Sequence, residues 1–188
     1  QPGENLFALE VYRWCDASWL EDQDFWRLSG IFRDLYLYRQ PVVHIDNTFI
    51  KPVLDEAYQD GEFQIDVTVR NYSETEQTVT CLVNLYDGDT AVFDAPLEKT
   101  VTLTEGTDIV TLQSTVIAPK KWSAEHPHLY TVTVSLKEPD KAIYVSEKHL
   151  TGFRTFELKD GLMKINGERI VFKGVNRHEF HYDVGRAV

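Results

Sequence analysis

Hydrophobic and polar residues alternate with a period of two through the middle of the chain. In Phe63-Gln64-Ile65-Asp66-Val67-Thr68-Val69 every second side chain is apolar, which places Phe63, Ile65, Val67 and Val69 on one face of a strand. The pattern recurs from Val79 to Tyr86, from Asp108 to Val116 and from Tyr130 to Leu136. Turn-forming clusters separate these runs: Asp60-Gly61, Asp87-Gly88-Asp89, Glu105-Gly106-Thr107 and Pro139-Asp140. Roughly seven short strands over about 100 residues predict an immunoglobulin-like β-sandwich between Val42 and Thr151. No stretch carries an apolar stripe at helical spacing for more than a turn or two.

The two flanks read differently. Asn5–Trp14 and Ile31–Tyr38 are rich in aromatic and β-forming residues and are strand candidates. Between them, Leu20-Glu21-Asp22-Gln23-Asp24-Phe25-Trp26-Arg27-Leu28-Ser29-Gly30 has acids and aromatics without clean periodicity, as a loop with a purpose would. Two strands cannot bury both faces, so this segment needs a partner. At the other end, Leu162–Ile165 and Arg169–Phe172 flank Asn166-Gly167, a strong signal for a type I′ hairpin. Then follows Gly174-Val175-Asn176-Arg177-His178-Glu179-Phe180-His181, dense in functional groups just past an apolar run. Barrel and open α/β enzymes keep their chemistry in such places.

Composition narrows the field. At 188 residues the chain has ample material for a core. A net charge of −11 disfavours nucleic acid and anionic membrane surfaces as partners. No apolar run approaches the length of a membrane span. Two cysteines, Cys15 and Cys81, are too few for a disulfide framework and are expected as buried free thiols. The chain opens on Gln1-Pro2-Gly3 and is expected to be an internal fragment.

The candidate chemistry is concentrated in the flanks. His178 and His181 are three apart after a strand-like run, not four apart on a helix with a glutamate between them as in zincins, so a paired metal site is disfavoured. His178 is a candidate ligand contact; its plainer reading is a hydrogen-bonded structural residue. Asp22 and Asp24 can grip sugar hydroxyls or a hard cation, or form a solvated acidic loop. Trp26 can cover a sugar face or sit in a core. Asn71-Tyr72-Ser73 matches a glycosylation acceptor, a pattern common by chance.

Together these residues resemble the β-galactosidases of glycoside hydrolase family 2. Leu20–Asp34 looks like the family's sugar-binding signature. Trp122-Ser123-Ala124-Glu125-His126-Pro127-His128-Leu129-Tyr130 resembles its sandwich signature. Gly152-Phe153-Arg154, Asn166-Gly167 and Gly174–Glu179 resemble its passage into the catalytic barrel. The likeness covers the whole chain and is weakest from Ile45 to Thr115.

The resemblance implies an all-β chain in which an immunoglobulin-like sandwich, residues 41–151, is flanked by two incomplete parts. Residues 1–40 are the end of a jelly-roll sugar-binding domain. Residues 152–188 are the start of a (β/α)8 barrel, with Ile170–Lys173 its first strand. It also implies roles. Asp24 matches an acid that contacts the galactosyl group and ligates Na+. His178 matches a histidine that binds the galactosyl group and favours the transition state. Asn176 and Arg177 are expected to support the site, and Phe180 stands where some members carry histidine.

Retaining hydrolysis of a β-galactoside needs two glutamates, which the family places downstream of Val188 together with the main Mg2+ ligands. Glu179 matches neither. The isolated chain is therefore expected to be inactive, with neither its Na+ nor its Mg2+ site complete. Uncovered strands at its ends favour self-association, and the parent is expected to be a homo-oligomer. The alternative from another class is a non-catalytic β-sandwich that binds carbohydrate or protein. A further alternative is a family member that has lost its glutamates.

Overall fold

The computed structural model describes residues 3–20, 29–139, 141–176 and 181–185. The chain divides into two compact units, Arg39–Phe172 and a second made of Gln1–Tyr38 with Lys173–Val188.

The first unit is a β-sandwich with a small sheet attached. Its first layer is β1 (Val43–Leu54), β2 (Gly61–Asn71) and β6 (Gly106–Val116), antiparallel in the order β1-β2-β6. Its second layer is built on β3 (Gln77–Asp87). On one side β3 pairs β7 (Tyr130–Lys137), which pairs β8 (Ile143–Thr151). It also pairs β5 (Leu97–Leu103) and the two-residue β4 (Thr90–Ala91).

The alternating runs form the central strands. Phe63, Ile65, Val67 and Val69 of β2 face Val79, Cys81, Val83 and Leu85 of β3 and Val132, Val134 and Leu136 of β7 in one buried cluster. Fully burying a side chain of this size contributes roughly 1.5–3 kcal/mol, so these three strands hold most of the sandwich together.

The edges are less regular. In β1 the ladder slips between Ile45 and Asn47. Before the slip Val43 and Ile45 lie opposite Asn71 and Val69; after it Thr48, Ile50 and Leu54 lie opposite Val67, Ile65 and Gly61. The inward parity thus changes from odd to even around Asp46, as one extra residue in a strand requires. Pro52, which has no N–H to donate, is tolerated because β1 is an edge strand.

The attached sheet is β9 (Phe156–Lys159), β10 (Leu162–Ile165) and β11 (Glu168–Arg169), in the order β11-β10-β9. The hairpin expected at Asn166-Gly167 forms, with φ of 52° and 82° at its two turn residues. A second tight turn, Asp160-Gly161, has φ of 55° and 72° and brings in β9, which the hydrophobic pattern did not announce. Ile170–Lys173 is not a strand here; its last ladder-like bond is Ile170 N–H to the Met163 carbonyl, 3.0 Å. The packing of the sandwich also runs past Thr151, because Phe153 is fully buried in its core.

In the second unit the described residues include one four-residue helix, α1 (Ala17–Leu20). The strands expected at Asn5–Trp14 and Ile31–Tyr38 do not form. A strand needs a ladder with a neighbouring strand, and no ladder includes either segment among the described residues. Their apolar side chains stand in solvent, Leu6, Leu37 and Tyr38 among them. Cys15 is exposed, contrary to expectation, because the segment around it builds no core; Cys81 is buried and both thiols are free.

Candidate functional site

Of the site residues expected from sequence, Asp24, Arg177 and His178 lie outside the described residues. Asn176 is described, as an exposed residue in irregular chain. The described residues therefore do not bring the expected sugar contacts together.

What they do bring together is the other half of the motif set, at one corner of the sandwich. Trp122 N–H donates to the Phe153 carbonyl at 2.9 Å. The Asn166 side-chain amide donates to the Trp122 carbonyl at 3.1 Å, and its oxygen accepts the Thr155 N–H at 3.0 Å. The Arg154 guanidinium lies 4.5 Å from the centre of the Trp122 ring, a cation–π contact. Gly152 is required here: a Cβ would stand 2.9 Å from Trp122 and 3.0 Å from the His128 carbonyl oxygen. The Phe153 ring meets Tyr130 edge-on at 5.3 Å, and Tyr130 meets His128 edge-on at 5.0 Å. Three stretches far apart in sequence thus interlock through one tryptophan, one asparagine and one buried phenylalanine.

The charged groups of the corner are paired. One Asp87 oxygen accepts from Lys120 Nζ at 2.8 Å and the other lies 3.0 Å from His128 Nε2. The Lys120 ammonium first, with His128 a smaller influence, holds the Asp87 carboxyl below the usual carboxylate range. Across the corner, the Tyr58 hydroxyl donates to Glu157 and accepts from Lys159 Nζ at 3.3 Å. That bond, more than any other influence, raises Lys159 above the ordinary lysine value. Sequence reasoning missed Tyr58, since a tyrosine in the polar turn Asp55–Asp60 carries no periodic signal.

Two features lie elsewhere, on the first layer. An open groove of about 530 Å³ runs over the outer face of the first layer, lined by Lys51, Glu62, Gln64 and Gln113 among others. Beside it Asp66 accepts from Lys51 at 2.6 Å, Thr111 at 2.8 Å and Gln64 at 3.2 Å, so its oxygens are occupied. Among the described residues no group of three or more His, Cys, Asp or Glu side chains is placed to hold a metal ion. The corner is built to fix backbone, and neither it nor the groove presents the paired carboxylates that glycosidic cleavage requires.

Three family models match the chain in succession. Residues 43–154 match the family model described as glycosyl hydrolases family 2. Residues 1–41 match the sugar binding domain of that family and residues 156–188 its TIM barrel domain. A β-galactosidase of Priestia megaterium is 51% identical over 189 residues, covering 100% of this chain and 18% of that protein. One of Streptococcus thermophilus is 43% identical, covering 99% of this chain and 17% of that protein. Among solved structures, β-glucuronidase 2 of Bacteroides uniformis superposes with a TM-score of 0.75 at 26% identity, over 89% of this chain and 21% of that one. The β-glucuronidase of Parabacteroides merdae gives 0.70 at 28% identity, over 88% and 20%. The chain thus spans about 18% of the length of the first of these relatives.

Proposed function

The chain belongs to glycosyl hydrolases family 2, and from that premise we propose that it is part of a retaining β-galactosidase acting on terminal β-D-galactosides. The observation that carries this reading is the 51% identity to a β-galactosidase across the whole chain, against 26–28% for the two β-glucuronidases. Residues 1–40 are read as the end of the sugar-binding jelly roll, 41–151 as the sandwich, and 152–188 as the start of the catalytic barrel.

Within that enzyme Asp24 and His178 are the contacts to the galactosyl group, and Asn176 and Arg177 support them. The aspartate accepts hydrogen bonds from sugar hydroxyls, which a charged acceptor strengthens. The histidine accepts from a ring hydroxyl, which becomes the better donor as positive charge develops on the sugar. A bond that tightens in this way lowers the barrier without serving ground-state binding equally. Asp24 is read as one ligand of Na+, which when bound supplies a hard positive centre for a sugar hydroxyl. Neither residue cleaves a glycosidic bond. That takes two glutamates about 5 Å apart, one as nucleophile and one as acid/base, and this chain offers no residue matching either. Mg2+ belongs with those glutamates. The chain by itself is therefore read as inactive.

The test is hydrolysis of p-nitrophenyl β-D-galactopyranoside and of the matching glucuronide by the complete protein and by residues 1–188 alone. Galactoside turnover by the complete protein alone supports the reading. Preference for the glucuronide overturns the substrate assignment, and turnover by the short chain overturns its inactivity. Hydrolysis of neither hands the chain to the binding-module alternative.

A further inference from the structure

The small sheet β9–β11 has two unlike faces. Residues paired across an antiparallel ladder share a face, and the register sets Phe156 opposite Ile165 and Leu158 opposite Met163. These apolar side chains lie together, and the Phe172 ring stands 6.2 Å from that of Phe156. The other face carries Glu157 opposite Lys164 and Lys159 opposite Leu162.

The polar face is the one already occupied. The Tyr58 hydroxyl bridges Glu157 and Lys159, and its ring lies so close to the β10–β11 turn that a Cβ on Gly167 would stand 2.7 Å from Tyr58 Cε2. Tyr58 in turn packs on the sandwich core. The sheet is thus tied to the sandwich through its polar side and turns its apolar side to solvent. Leu158 is 74% exposed, Phe156 54% and Met163 41%. This inverts the usual order, in which a sheet buries its apolar face and leaves its polar face wet. An apolar face sorted this cleanly marks a contact surface.

Sequence position and size name the occupant. The match to the TIM barrel domain, residues 156–188, begins at the first residue of β9. Such a barrel takes roughly 250 residues, and this chain covers 18% of the Priestia megaterium relative. The bulk of the domain that opens with this sheet therefore follows residue 188 in a complete protein. A second copy of the chain is a poorer fit, because separate molecules associate specifically through about 20–30 residues a side. A partner on the same chain needs no such area, since the contact is intramolecular.

We infer that the apolar face of β9–β10 is a docking surface for the part of the barrel domain that follows Val188, and that Phe156, Leu158 and Met163 are buried against it in a complete protein. This assignment rests on reading residues 152–188 as the start of the barrel. Met163 is the chain's single methionine, so its thioether reports on exposure without any substitution. Dilute hydrogen peroxide followed by peptide mass spectrometry should oxidise it to the sulfoxide about tenfold more slowly in the complete protein than in residues 1–188. Slow amide exchange in β2 and β7 verifies that the sandwich is folded in both samples. Equal rates overturn the inference. Protection in residues 1–188 that grows with their concentration gives the face to a second copy and overturns it too.

Crosslinking reads the occupant. Leu158→p-benzoylphenylalanine in the complete protein, irradiated, should crosslink to residues past 188. Crosslinks confined to residues 1–188 or to another molecule, or none, overturn the choice of occupant. A complete protein that protects Met163 and crosslinks past residue 188 but hydrolyses no galactoside sinks the galactosidase reading and leaves the docking surface standing. An active galactosidase with Met163 unprotected does the reverse.

Discussion

The side-chain amide of Asn166 donates to the main-chain carbonyl of Trp122 across 44 positions of sequence, at 3.1 Å. Asn166 also sits at φ of 52°, a conformation that asparagine tolerates better than most residues. The residue therefore closes a tight turn and ties that turn to the sandwich. Asn166→Gly keeps the turn and loses the tie, and should cost about 1–3 kcal/mol in urea unfolding, the range for half-buried groups left without partners. Asn166→Ala adds backbone strain and should cost more. Equal losses would mean that the turn conformation contributes nothing.

Asp87 makes the corner sensitive to acid. Lys120, and then His128, depress its carboxyl pKa in the folded chain. A depressed acid contributes stability that is present above the unfolded value, near 3.9, and is lost as pH falls through the folded value. Thermal melts of the wild type and Asp87→Asn should therefore differ near pH 6 and converge toward pH 2. The gap should shrink at high salt, since the pair is open to solvent. A gap that persists undiminished at pH 2 would place the effect of the substitution in packing.

The two thiols should respond oppositely to a disulfide reagent. Burial pushes Cys81 up to about 12, while the Ser18 hydroxyl, 3.5 Å from Cys15 Sγ, lowers the exposed thiol. Thiolate is the reacting form, so one thiol per chain should titrate quickly at pH 8 and the second only in denaturant. Rapid reaction of both in native buffer would contradict the buried position of Cys81.

For the complete protein, the proposed roles of Asp24 and His178 separate in kinetics. His178→Asn should lower kcat on the order of 10²–10³-fold, the scale for removing one hydrogen bond that tightens in the transition state. Asp24→Ala should weaken galactoside binding and abolish any rate response to Na+. A His178 variant with wild-type kcat would leave that histidine with no more than a structural part.

Sequence and structure agree where one strand satisfies its own pattern. β2, β3, β6 and β7 each bury one face, so period-two alternation marks them before any partner is known. The edge strands hide for physical reasons. β1 changes inward parity at its slip, which erases the alternation a reader would count. β5 and β8 are largely exposed and carry charged residues that look like loop. In the opposite direction, Ile31–Tyr38 has strand composition but joins no sheet among the described residues, and composition alone does not make a ladder. The site divides the same way. Trp122, Gly152, Phe153 and Asn166 were legible as motif residues, but that they lock together was not. Nothing in a one-dimensional pattern says that Asn166 meets Trp122, or that Tyr58 waits for Gly167.

Gly61 and Phe153 have a bearing on how such a protein can be taken apart and rebuilt. A Cβ on Gly61 would stand 2.6 Å from the Phe153 ring, so the opening residue of β2 is fitted to a side chain that follows the last strand of the sandwich. A gene cut where β8 ends would leave a hole the size of a phenyl group. Grafting the sandwich into a relative would succeed only if the donor's tail travelled with it, or if the recipient supplied the same ring opposite the same glycine. For recombination, in the laboratory or in lineage, the seam lies beyond the last strand of the sandwich.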